Sequence, residues 1–107
     1  MQTLIDVHCS KGPSLRESIA KDAKLENYSL LVVKEQKPGR SPGWLKLRST
    51  IPDRRGAINI QWDSVGVLRC RVVNRGPGRP DEIAGDFVAY LLARHRKRLR
   101  AINVVPR

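Results

Sequence analysis

Acidic residues, aromatics and cysteines are all scarce in this chain, and each scarcity closes off a class of protein. The 2 cysteines, Cys9 and Cys70, are too few for the disulfide framework on which a secreted domain of this size depends. Both fall on the inward side of expected strands, where a free thiol behaves as a small buried hydrophobe. His8, Cys9, Cys70 and His95 are enough ligands for a zinc ion, but no C-x-x-C and no histidine pair provides the close spacing that structural zinc sites use. No metal and no cofactor is expected. The carboxylates of the basic region, Asp53, Asp63, Asp81, Glu82 and Asp86, are scattered, which argues against metal-dependent nuclease chemistry. A nucleophile elbow, a P-loop and a dinucleotide fingerprint are also missing, and Pro77 removes a backbone donor that Gly76-Pro77-Gly78 would need to cradle a phosphate. No apolar run approaches a membrane span, and the N-terminus lacks the basic-then-apolar layout of a secretory signal. A cytoplasmic location without a membrane partner is the expectation.

Positive charge is what the chain has in excess. Lysine and arginine number 21 against 10 acids, a formal charge of +11, and the excess is regional. Residues 1–35 hold 5 basic and 5 acidic side chains, so the whole surplus lies in residues 36–107. A small protein charged in this one-sided way repels itself, and a polyanion is the usual partner that relieves the repulsion. Fourteen of the basic residues are arginine, whose planar fork binds phosphate with two bonds. With 107 residues there is material for one core, hence a single domain over 1–107 that folds alone or as a homo-oligomer.

The stretch from Gly43 to Asn74 reads as three short strands whose two faces differ in chemistry. Leu45 and Leu47 alternate with Trp44, Lys46 and Arg48; Ile58, Ile60 and Trp62 with Asn59 and Gln61; Leu68, Cys70 and Val72 with Arg69 and Arg71. Paired as a meander, these strands fuse their polar residues into one surface suited to phosphate, with Trp44 as an outward aromatic for a base. Opposite-charge pairs that would mark a merely structural face are not expected across it.

Around this meander the chain predicts a first strand over Gln2–Cys9 and a helix from Ser14 to about Leu25, opened by the S-x-x-E capping box of Ser14 and Glu17. The continuous apolar run from Tyr28 to Val33 suggests a central strand or one at a dimer contact. A second helix from Asp81 to about Leu99 carries Ile83, Ala84, Phe87, Val88, Leu91, Leu92, His95 and Leu99 on one stripe. A last strand over 101–105 turns Ile102 and Val104 inward. The order β-α-β-β-β-β-α-β implies an α+β two-layer sandwich: a mixed, mainly antiparallel sheet of five or six strands with both helices on one face.

Successive hairpin connections alternate between sheet ends, so Arg54, Arg55, Arg75 and Arg79 are expected to meet at one end. Lys37 and Arg40 should approach Arg94, Arg96, Lys97, Arg98 and Arg100 at the other. The first functional reading is a non-enzymatic nucleic-acid-binding domain, with RNA or single strands favoured over duplex DNA. In it Trp44 stacks, Lys46, Arg48, Arg69 and Arg71 hold phosphates, and Asn59 and Gln61 contact bases or 2′-hydroxyls. A second is a metal-independent ribonuclease of toxin type using His95, His8, Tyr90 or an arginine of the 51–56 loop. A third is an interaction module whose basic face docks an acidic protein.

Overall fold

Alternation of apolar and polar residues decides which way each strand faces, and the computed structural model, which describes residues 2–75 and 80–107, follows it. The strands are β1 (Gln2–Cys9), β2 (Leu30–Lys34), β3 (Trp44–Ser49), β4 (Gly56–Asp63), β5 (Val67–Asn74) and β6 (Leu99–Pro106). The helices are α1 (Leu15–Ala20) and α2 (Pro80–Arg94). The six strands form one sheet in the order β2-β3-β4-β5-β1-β6, and every neighbouring pair is antiparallel. The α+β sandwich is therefore the architecture. Ile5, Val7, Leu45, Leu47, Ile58, Ile60, Leu68 and Val72 are fully buried and share one core with Leu15 and Ile19 of α1 and Ile83, Phe87, Tyr90 and Leu91 of α2. Each such aliphatic or aromatic side chain contributes about 1.5–3 kcal/mol on leaving water. No described helix is long and apolar enough to cross a membrane.

The sheet is tight where β4 begins. Gly56 has φ +147°, and a Cβ there would stand 2.2 Å from the Val73 carbonyl oxygen on β5. Glycine is needed at this point because no side chain fits between the paired strands.

Four elements depart from the expectations. The first helix stops at Ala20, and a 3₁₀ segment over Ala23–Tyr28 replaces its second half. Neither half of the capping box forms: Ser14 makes no side-chain cap, and the Glu17 carboxylate pairs with Arg16 Nη1 at 2.7 Å. Asp22 caps the 3₁₀ segment by accepting from the Lys24 N–H at 2.9 Å. β2 is not central but lies at the sheet edge; its apolar run is explained by the helix layer covering Leu30, while Val33 is exposed. α2 ends at Arg94, the turn Arg96–Arg98 follows, and Leu99 already belongs to β6. On α2 the fully buried stripe includes Tyr90 and leaves Leu92 exposed, since positions 83, 87, 90 and 91 repeat at the helical period.

Candidate nucleic-acid interface

Helices cover only one side of the sheet, so the polar members of the alternation form the other. Register aligns them in transverse rows. One row reads Trp44, Gln61, Arg69, Asp6, Asn103 across β3, β4, β5, β1 and β6. The next reads Lys46, Asn59, Arg71, Leu4, Val105. Arg48, Arg69 and Arg71 are exposed, while Lys46, Asn59 and Gln61 are half-buried by their neighbours. A shallow cleft of about 460 Å³ opens among Asp6, Arg40, Trp44, Asn59, Arg69 and Arg71.

Two expectations about this face need correction. Trp44 points to the open side but is only 3% exposed, so its ring is not a free stacking platform. The loop before β3 folds back over it: the Arg40 guanidinium stands 5.8 Å from the ring centroid, and Gln61 Nε2 donates to Ser41 Oγ. The indole N–H is buried beside the cleft and finds no acceptor among the described residues. The face also carries acids. β1 inserts beside β5 and sets Asp6 opposite Arg69, and Asp63 lies 3.7 Å from the Arg69 guanidinium. The meander alone does not predict the Asp6 opposition, because it does not say which strand flanks β5; the Asp63 approach lies within the β4–β5 hairpin itself.

Among the described residues, the arginines of the basic rims divide into those whose guanidinium makes a hydrogen bond or ion pair and those without one. Arg55 and Arg75 share one end of the sheet, where the Arg75 N–H donates to the Arg55 carbonyl at 3.0 Å and both line a second cleft with Lys46 and Arg48. Arg54 lines that cleft too, but its guanidinium is held by Glu82 at 3.0 Å and by Asp86, both on α2, so it fastens the helix to the sheet end. Arg79 lies outside the described residues. At the other end, Arg40 and the C-terminal cations of α2 do not converge. The Arg40 loop precedes β3 and Arg100 sits on β6, four strand positions and about 19 Å apart at the usual strand spacing. Several of those cations are also spoken for. Arg94 binds Asp22 at 3.2 Å, Arg96 Nε donates to the Leu92 carbonyl at 3.2 Å, and Arg98 Nη2 donates to the Ser10 and Pro13 carbonyls at 3.2 and 2.9 Å. Lys97 and Arg100 are exposed.

A polar cluster that no sequence pattern assembles lies within the helix layer. The Tyr90 hydroxyl donates to Asp22 Oδ2 at 2.8 Å, and its oxygen is 2.8 Å from His95 Nε2. Because the one phenolic proton goes to the carboxylate, His95 Nε2 must carry the proton it shares with Tyr90, which fixes the tautomer. Burial lowers the His95 pKa, with Arg94 and Arg98 adding to that shift and Asp22 opposing it. Burial alone would raise Asp22, but hydrogen bonds from Arg94, Lys24 and Tyr90 outweigh it and hold the carboxyl low. Burial and the bond to Asp22 push the Tyr90 hydroxyl well up. Tyr90 is fully buried on the side of the sheet opposite the basic face, so a strand lying on that face cannot reach it. His8, the remaining acid–base candidate, is on the open face within 3.4 Å of Asn103. The acid–base group of the ribonuclease reading is thus split between two faces.

Arg16 is a further side chain whose role the sequence does not announce. It is 5% exposed; its Nε donates to the Trp44 carbonyl at 3.0 Å and its Nη2 to the Glu35 carbonyl. Its signal in the sequence is a cation three residues before Ile19, on the inward stripe of α1. Cys70 is buried and Cys9 half-buried, both free, and burial raises both thiols. No three His, Cys, Asp or Glu side chains among the described residues gather as a metal-ligand group. No family model matches the chain, and neither a curated protein nor a solved structure matches it.

Proposed function

We propose that the open face of the sheet holds the sugar-phosphate backbone of RNA or another single-stranded nucleic acid, without cleaving it. The observation that carries this reading is the alignment of Lys46, Arg48, Arg69 and Arg71 on one uncovered surface, continued by Arg40 at one end and by Arg55 and Arg75 at the other. Asp6 and Asp63 offset part of the charge near Arg69 and leave the rest in excess. Such a face tracks phosphates, while the carboxamides of Asn59 and Gln61 are placed for bases or 2′-hydroxyls. With Trp44 covered, affinity is electrostatic and tolerant of sequence. Duplex DNA is the poorer ligand, because the first turns of α2 carry Glu82 and Asp86 bound to Arg54 and offer no basic helix to a major groove. The free thiols of Cys9 and Cys70 suit a reducing, cytoplasmic setting.

The test is a binding panel of fluorescent single- and double-stranded RNA and DNA at two salt concentrations, comparing wild type with Arg69→Glu/Arg71→Glu. Single strands should bind at low salt, weaken steeply at high salt and fail to bind the variant. Equal binding of wild type and variant to every probe would remove the assignment.

A further inference from the structure

The two edges of the sheet, β2 and β6, are built differently. β2 has 5 residues, its register slips between Val32 and Lys34, and Arg16 takes the Glu35 carbonyl just beyond it. A short, bulged edge that bears lysine is how natural sheets discourage further pairing. β6 is also slipped once, at Arg100 where Cys9 pairs with Leu99, and ends in Pro106, but the stretch between them carries no such device. The strand is 8 residues long and runs against β1 without a slip from Thr3 opposite Pro106 to His8 opposite Ala101. Val104 and Val105 are 51% and 43% exposed, and they point to opposite faces of the sheet.

Backbone direction makes this edge specific. The Arg107 N–H donates to the Gln2 carbonyl at 2.9 Å, so antiparallel alternation turns the peptide groups of Val105, Asn103 and Ala101 toward β1. Those of Ile102 and Val104 then point outward, and among the described residues nothing pairs with them.

We propose that the outer edge of β6 accepts an added strand from a different protein: an extended segment with alternating apolar side chains and acidic residues at its ends. Backbone bonds to Ile102 and Val104 fix the added strand; its alternating apolar side chains share one face and cover Val104, while the residues between them lie beside Val105. Arg100 and Arg107, both exposed, flank the apolar stretch and meet the acidic ends. A second copy of this chain fits less well. The register that pairs Ile102 with Val104 twice sets Arg100 of each copy opposite Pro106 of the other, one residue from its Arg107, and each copy already carries a charge of +11. The proposal concerns the margin of the sheet and stands independently of what the basic face binds.

The probe is a labelled peptide of about eight residues, the length of β6, alternating valine and threonine with glutamate at both ends. It is compared by anisotropy with a lysine-ended counterpart and with a glutamate-ended peptide whose alternate amides are N-methylated. The full chain should bind the first peptide at least about tenfold more tightly than either of the others. Val104→Pro, which removes an outward N–H and leaves the β1 ladder intact, should abolish binding. Equal binding of the methylated peptide would overturn the proposal without recourse to a variant. So would absence of binding, or self-association in sedimentation that Val104→Pro abolishes, which would assign the edge to a second copy.

Discussion

Arg16 shows how a single cation can be structural in a chain whose charge otherwise points to a ligand. Its guanidinium joins α1 to the carbonyls of Trp44 and Glu35, at the start of β3 and just past β2. Arg16→Met keeps the bulk and strands those acceptors, and urea unfolding should show a loss of about 2 kcal/mol. Arg71→Met, at an exposed position on the open face, should change stability by less than about 0.5 kcal/mol. His95 makes a pH prediction. The fold holds its pKa below the ordinary 6.5, so as pH falls the unfolded chain takes up this proton first. Stability is therefore fully present above about pH 6.5 and declines below it. The lowered Asp22 adds a further loss, in the same direction, below about pH 4. His95→Gln keeps an N–H donor for Tyr90; followed by thermal unfolding across pH, it should lack the first decline and retain the second.

Among the elements, strand direction is legible in the sequence and strand neighbourhood is not. Alternation assigns the open and packed faces of β3, β4 and β5 because a period of two leaves each side chain no other choice. The slot of β1 between β5 and β6 depends on non-local pairing that no local pattern encodes, and that slot is what sets Asp6 against Arg69. The burial of Trp44 is illegible for a related reason: alternation gives a side chain its face but not what later folds over it. For the edge β2 the apolar run misleads, since one-sided cover by the helix layer is enough to account for Leu30. On α2 the apolar stripe omits Tyr90, whose polar tip is buried because Asp22 and His95 receive it. Gly56 tests the pairing of β4 with β5. Gly56→Ala brings a Cβ against the Val73 carbonyl at a positive φ and should cost more than about 1 kcal/mol in urea unfolding.

At the scale of the molecule, the surplus charge divides by position. Arg16, Arg54, Arg94 and Arg98 are bound to carboxylates or carbonyls and hold the helix layer and sheet ends together. Arg48, Arg69 and Arg71 stand exposed on the open sheet, Arg69 with Asp63 3.7 Å away, and Arg40, Arg55 and Arg75 lie at its ends; these are the cations that the proposed function assigns to a nucleic acid. The regional excess is visible in the sequence, but this division requires the fold. The central claim is that an uncovered row of cations on β3 and β5 neutralises phosphates. Its most direct test is the slope of log affinity against log salt for a single-stranded RNA, in wild type and in Arg69→Gln/Arg71→Gln. The variant slope should be shallower by about 1.4, at roughly 0.7 for each phosphate no longer neutralised. An unchanged slope, with wild type and variant binding alike, would contradict the account.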